Sequence, residues 1–323
     1  MEAENKLSKL IEVARAYYLE NRTQEEISRS LGISRSQVSR YLTEARQEGI
    51  VQIRIMEPYT CESSLGKKLQ DRYPHLNHVV VAPVFDSSPE AVRSIVGRYA
   101  ANFLLDTLQP GQKLALGCGR TLEAMVRALP EKVVSNITVI QAMGNLGHEA
   151  HKIDYNEIAR TAAEKLGGNM HTLSAPAILG KDSVDAETFI QSNQMLQKAL
   201  AIAKNADVCM AGIGSMESDV VYTQFGLIHP DELNELRGLA VGDILGHFFD
   251  INGIKQATAF ESRLVGISLD DLHKIPASII VGGGLDKVAP LLGAIRGKFV
   301  NALVSDEQTI HSLLALDESQ FNQ

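Results

Sequence analysis

Cysteine is scarce in this sequence: Cys61, Cys118 and Cys209 are an odd, scattered set with no C-x-x-C pair. That pattern excludes a disulfide framework or a cysteine-built zinc site and suits a reducing cytosol. Long apolar runs are missing too, none approaching the roughly 18 residues needed to span a bilayer. The opening MEAENKLSKL lacks the apolar region of a secretion signal, so a cytoplasmic protein without membrane contact is expected. His148 and His151 stand as H-x-x-H in GHEAHK rather than H-E-x-x-H, and no metal is expected there. Residue order alone supports no Ser/His/Asp set and no acid–base pair, so no catalytic residue and no cofactor is assigned.

What is present begins with Thr23–Gly49, TQEEISRSLGISRSQVSRYLTEARQEG. Thr23 and Glu26 have capping-box spacing, which starts a helix, and Ile27 and Leu31 give that helix one apolar face. Gly32 is placed to end it in a left-handed conformation. Ser34 and Gln37 repeat the capping box, and Val38, Tyr41, Leu42 and Ala45 follow at helical spacing toward a core. The opposite face of this second helix carries Arg35, Ser36, Gln37, Ser39, Arg40 and Thr43. Arg and Gln can pair with guanine and adenine edges, while Ser and Thr suit phosphates. A helix-turn-helix that reads DNA with Thr23, Ser34, Arg35, Ser36, Gln37, Ser39 and Arg40 is the expectation. The bland alternative is a helical hairpin with a merely solvated polar face.

Charge qualifies that reading. The formal charge is −8, and residues 1–55 hold nine Lys/Arg against eight Glu, which leaves −9 on the remainder. An acidic body repels phosphates, so focused basic residues and more than one copy of the motif are implied. At 323 residues the chain suggests two domains. Residues 4–20 are predicted as a first helix. Val51–Ile55 alternates like the strand of a wing, and Pro58 marks a boundary, giving domains at 1–56 and 57–323.

Beyond it, predicted strands at His78–Ala82, Lys113–Gly117, Ile137–Gln141, Val208–Gly212, Arg263–Ile267, Ser278–Val281 and Asn301–Ser305 alternate with helical runs. The helical runs are Ala91–Leu108, Asn156–Leu166, Glu187–Lys204 and Leu285–Arg296. The pattern predicts an α/β domain with a parallel sheet, whose ligands bind at the carboxyl ends of the strands. Four strand exits stand out there. In LGCGRTL, Gly117 and Gly119 admit a close ligand and Thr121 offers a hydroxyl at a helix N-terminus, a place suited to an anion. The alternative for that loop is a plain tight turn; Gly212 opens GIGS, which taken alone reads better as a close-packed turn. In VGGGLDK, Lys287 sits in a first helical turn, poorly placed against the helix dipole unless it meets a phosphate. In AVGDILGHFFDING, Asp243 is flanked by apolar residues and needs donors, as sugar hydroxyls would supply, or else caps a helix.

These segments together resemble the SorC family of bacterial sugar-responsive transcription regulators, over essentially the whole chain. The resemblance rests on the helix-turn-helix, on GCGRT, on AVGDILGHFFDINGI and on IIVGGGLDKVAPLLGAIRGKFVNALVSDEQT. It implies an effector domain similar to sugar-phosphate isomerases and deaminases, a phosphorylated sugar or polyol as effector, operator DNA as partner and a homo-tetramer. Carried over by position, Gly117, Gly119 and Thr121 would hold the phosphate with Lys287, and Asn156 and Asp243 would meet sugar hydroxyls. Arg120 departs from the G-x-S-x-G-T-T of some relatives and offers a second phosphate contact or a different sugar preference. Met143 stands near the place where one relative uses a Schiff-base lysine, so covalent capture is not expected. The expectation is a repressor of a carbohydrate operon. The rivals are an isomerase or deaminase carrying a helix-turn-helix, and a DNA-binding scaffold without a small ligand.

Overall fold

A computed structural model describes residues 2–48, 50–51, 63–131, 134, 136–146, 154–217 and 227–321. The chain divides into two compact units, Met1–Pro58 and Tyr59–Gln323. The first contains α1 (Glu2–Tyr18), α2 (Gln24–Leu31) and α3 (Arg35–Gln47). Helix α1 lies slightly upstream of the predicted span. Both capping boxes form: Thr23 N–H donates to the Glu26 carboxylate at 2.8 Å, and Ser34 N–H donates to Gln37 Oε1 at 2.9 Å. Gly32 ends α2 at φ 66°. Those two starts and the turn set the three helices around Val13, Ala16, Ile27, Val38 and Leu42. The predicted wing falls largely on 52–55, outside the described residues, as do Cys61, His148 and His151.

In the second unit, α4 (Ser64–Arg72) leads into β1 (His78–Ala82), α5 (Pro89–Thr107), β2 (Lys113–Leu116), α6 (Arg120–Ala128) and β3 (Thr138–Gln141). Next come α7 (Tyr155–Lys165), β4 (Asn169–His171), α8 (Ala186–Gln191), α9 (Gln194–Lys204), β5 (Val208–Gly212) and α10 (Pro230–Asn234). The hairpin β6 (Gly242–Ile244) and β7 (His247–Phe249) precedes α11 (Leu269–Lys274), β8 (Ala277–Val281), α12 (Val288–Arg296), β9 (Ala302–Asp306) and α13 (Glu307–Phe321). Seven strands form one parallel sheet in the order β1-β9-β8-β5-β2-β3-β4.

Its strands read as unbroken apolar runs because both faces are covered. Leu114 and Leu116 of β2, Val208 and Met210 of β5, and Ile279 and Val281 of β8 pack on the side of α5, α6 and α7. Their alternates Ala115, Cys209 and Ile280 pack on the other side, with residues of α4 and α9. After β2 the chain builds outward through β3 and β4, whereas after β5 it builds the other way through β8 and β9. That reversal opens a crevice at the carboxyl ends of β2 and β5.

Three sequence expectations differ here. The run Glu187–Lys204 is not one helix: it breaks at Asn193, whose side chain caps Met195 and Leu196 of α9 at 3.1 Å each. The strand Arg263–Ile267 does not form, because Glu261–Arg263 is a 3-10 turn. The buried Arg263 guanidinium donates to Glu232 at 2.7 Å and to the Leu179 carbonyl at 3.0 Å, a burial an extended strand would not provide. The helix predicted from Leu285 starts with a 3-10 turn, Leu285–Lys287, so Lys287 precedes α12 rather than lying within it.

Helices α4, α12 and α13 are tied by one carboxylate. Asp317, 1% exposed, accepts from Arg296 at 2.6 Å, from Tyr73 at 2.7 Å and from Arg72 at 3.0 Å. Burial pushes its carboxyl up, but the donors Tyr73, Arg296 and Arg72 outweigh this and hold it below the usual carboxylate range. A lowered folded value means the contribution is complete above the unfolded pKa of about 4 and fades as pH falls through the folded value. Asp317→Ala should cost about 3 kcal/mol in urea unfolding at pH 7, by stranding two guanidinium groups. The variant should also lose less stability than the parent between pH 5 and pH 3, which the same titration repeated across that range checks.

Candidate functional site

On α3 the side chains of Arg35, Ser36, Ser39, Arg40 and Thr43 are exposed, opposite the buried Val38, Leu42 and Ala45. Arg35 makes no ion pair among the described residues, and Arg40 stacks on Tyr41 at 5.8 Å. Thr23, Ser34 and Gln37 are engaged otherwise, in the caps that hold the helices. Gln37 Oε1 accepts both from Ser34 N–H and, at 3.1 Å, from Ser34 Oγ, so its acceptor is spent and only Nε2 faces outward. The expected two-bond pairing of Gln37 with adenine needs both ends of the carboxamide and so conflicts with its cap. A groove of about 600 Å³ beside this face is bounded by Tyr17, Tyr18, 21–25 and Arg35. Arg22, not singled out in the sequence, thereby joins Arg35 on one concavity.

In the second unit the crevice at the switch point is a cavity of about 530 Å³. Six of the eight expected effector residues line it: Gly119, Arg120, Thr121, Gly212, Asp243 and Lys287. They arrive from three strand exits and the hairpin. Gly119 has φ 130° and ψ 159°, and Gly284 has φ 105° and ψ 152°. These backbone shapes suit glycine alone, and each turns a strand directly into a helix start with no side-chain cap. Gly284 N–H is held by Asp306 and Thr309, each at 2.8 Å.

Arg120 has no partner among the described residues, while Lys287 lies 2.9 Å from Asp286 and is only 19% exposed. Arg93 on α5, a lining residue the sequence reading did not single out, pairs with Glu90 at 3.1 Å. Three cations thus meet in one cavity of an acidic protein. Its three carboxylates are engaged: Asp286 pairs with Lys287, Asp306 caps α13 through Thr309, and Asp243 accepts from Gly246 N–H at 3.0 Å. Asp243 therefore anchors the β6–β7 turn rather than capping a helix. Cys118 also lines the wall, but burial pushes its thiol up to about 12, against the pull of the Tyr155 hydroxyl. A thiol held that high is no nucleophile.

Gly117 and Asn156 do not line the cavity. A Cβ on Gly117 would come within 3.1 Å of Ala211 Cα and 3.2 Å of Leu245 Cδ2, so this glycine serves strand packing. Asn156 opens α7 and takes a hydrogen bond from buried Gln141 at 3.2 Å. Gln141 carries no sequence signature, since it acts through Leu173, 32 residues away.

Residues 57–315 match the family model of a sugar-binding domain, and residues 12–48 match sigma-70 region 4. The deoxyribonucleoside regulator of Bacillus subtilis (strain 168) is 30% identical over 305 residues, covering 94% of this chain and 96% of that protein. The sorbitol operon regulator of Klebsiella pneumoniae is 28% identical over 319 residues, covering 97% and 100%. The crystal structure of full-length SorC from Klebsiella pneumoniae superposes with a TM-score of 0.74 at 27% identity, over 95% of this chain and 98% of that one. Among the described residues, no helix is long and apolar enough to cross a membrane.

The second capping box yields a direct check. Ser34→Ala removes the hydroxyl that accepts from Gln37 N–H at 3.2 Å and should destabilise the first unit by about 1 kcal/mol. Hydrogen exchange of the α3 amides reads this as faster opening at Gln37, with amides of the parallel sheet unchanged.

Proposed function

The chain belongs to the SorC family of sugar-binding transcription regulators, and from that premise we propose that it represses a carbohydrate operon under control of a phosphorylated sugar or polyol. The observation that carries the effector half is the convergence of Arg120, Lys287 and two glycine-shaped helix starts on one cavity at the switch point. Unsatisfied backbone N–H groups and cations favour a compact dianion there, and a phosphate is the simplest such group on a sugar. Asp243, which accepts from Gly246 N–H, is the wall carboxylate proposed to face the sugar. Thr121 and Gly212 complete the wall on either side.

The DNA half rests on the exposed row Arg35, Ser36, Ser39 and Arg40, with Thr23 and Ser34 holding the helix ends that meet phosphates. With −9 on the residues after the first 55, a single motif faces long-range repulsion from DNA. A homo-oligomer, on the family pattern a tetramer, supplies several motifs at once and multiplies their effective concentration. Effector binding would then favour one assembly over another and change the spacing of the reading helices. The relatives are a deoxyribonucleoside regulator and a sorbitol operon regulator.

Two measurements test the proposal. A saturating sugar phosphate, at about 100 times its Kd, should stabilise the protein by about 2.7 kcal/mol in thermal unfolding, and Lys287→Ala should abolish the shift while leaving DNA binding intact. An undiminished shift in that variant would remove Lys287 from the site. Arg35→Ala should weaken operator binding by about 1–3 kcal/mol in a gel-shift titration, with the thermal response to sugar phosphate unchanged.

A further inference from the structure

The cavity at the switch point draws its cations from both faces of the sheet. Lys287 leads into α12, whose Leu291 and Ile295 join the core of Ala115 and Ile280 on the face of α4 and α9. The opposite face is covered by α5 and α6, and these bring Arg93 and Arg120 to the same cavity. Helices α5 and α6 follow the parallel strands β1 and β2 and lead back to further parallel strands. Both therefore start at the carboxyl edge and run the same way. They touch at Gly97, where a Cβ would come within 2.7 Å of Met125 N and 2.8 Å of Ala124 Cβ. Arg93 lies four residues before Gly97, and Arg120 four before Ala124. Residues four apart share a helix face, so the two arginines stand on facing stripes, one turn nearer the carboxyl edge than the contact.

Two guanidinium groups on facing stripes repel, and neither can shed its charge. The neighbouring carboxylates do not offset them. Glu123, one turn after Arg120, is taken by Arg127. Glu90 meets Arg93 from a position 87% exposed, and a surface pair of that kind is weak. Lys287 lies apart from this pair, over the exits of β8 and β5, where a Cβ on Gly282 would meet Lys287 Cγ at 4.0 Å and Ile213 Cγ2 at 2.7 Å. We propose that the cavity holds two anionic groups at once, one beside Lys287 and one between Arg93 and Arg120. Two guanidinium charges match a dianion better than a carboxylate, and their forked donors suit phosphate oxygens. The effector is then a sugar phosphorylated at both ends. This rests on the phosphate reading of the same cavity and narrows its ligand to a bisphosphate.

The test on the full-length protein has one arm that needs no knowledge of the sugar and one that uses a sugar. Crystals soaked in tungstate, a strongly scattering stand-in for phosphate, should show two peaks in the cavity. One should lie beside Lys287 and the other within hydrogen-bond reach of both Arg93 and Arg120. Arg93→Gln should lose the second peak and keep the first, and Lys287→Ala should do the reverse. A single peak shared by Lys287 and Arg120 would overturn the proposal and leave the phosphate reading in place. No peak at all would overturn both. In calorimetric titrations the parent should bind fructose 1,6-bisphosphate at least about tenfold more tightly than fructose 6-phosphate, the scale of one charge-assisted hydrogen bond. Arg93→Gln and Arg120→Gln should each bring the two ligands within about threefold, by weakening the bisphosphate. Equal affinities in the parent, or a preference that survives both variants, would overturn the proposal. Should neither fructose ester bind, the sugar is another one and the tungstate peaks decide.

Discussion

Parallel pairing is the constraint on which the second unit depends. All seven strands run the same way, so every strand exit lies at one edge of the sheet. Helices cover both faces, where the strand runs are chiefly apolar. The carboxyl edge is thus where backbone N–H groups and helix starts stay uncommitted. Arg120, Lys287 and the glycines at 119 and 284 are scattered over 169 positions of sequence, and the sheet alone makes them neighbours. Ligand chemistry in this chain is a consequence of topology before it is a consequence of any one side chain.

The same constraint explains which parts were legible from sequence. Strands buried on both faces announce themselves as apolar runs, and six of the seven predicted strands coincide with observed ones within a residue or so at each end. Caps are local chemistry between residues three apart, and Thr23 with Glu26 and Ser34 with Gln37 were readable for that reason. Where the deciding partner lay far along the chain, the reading failed. Arg263 turns away from a strand because Glu232 and Leu179 hold it, and neither is visible from its neighbours. Short β4, β6 and β7 offer three residues each, too few to show a period.

The site follows the same division. Loops next to predicted strands supplied six residues that do converge. Gly117 lies outside the cavity lining, and a glycine admitting a ligand and a glycine admitting Ala211 look alike in sequence. Asn156 entered through family resemblance, and its neighbour Gln141 did not enter at all, although Gln141 turns the Asn156 oxygen toward itself. Hydrogen-bond direction is a property of a network and cannot be read from residue identity.

That direction also links the two halves of the protein as a matter of chemistry. Gln37 on α3 and Gln141 on β3 each give their oxygen to a backbone N–H, one from Ser34 and one from Leu173. Gln141 spends its NH2 on Asn145 and Asn156, whereas Gln37, whose oxygen also accepts from Ser34 Oγ, has only donors left. On α3 the consequence is that Gln37, while it keeps its cap, can address only acceptors such as guanine O6 or N7 or a phosphate oxygen, and base reading falls chiefly to Arg35 and Arg40. Opening the cap to gain adenine pairing would release Ser34 N–H at a helix start, at a cost of about 1 kcal/mol. Base preference and helix stability are therefore coupled in the same side chain, and a substitution at position 37 cannot change one without the other.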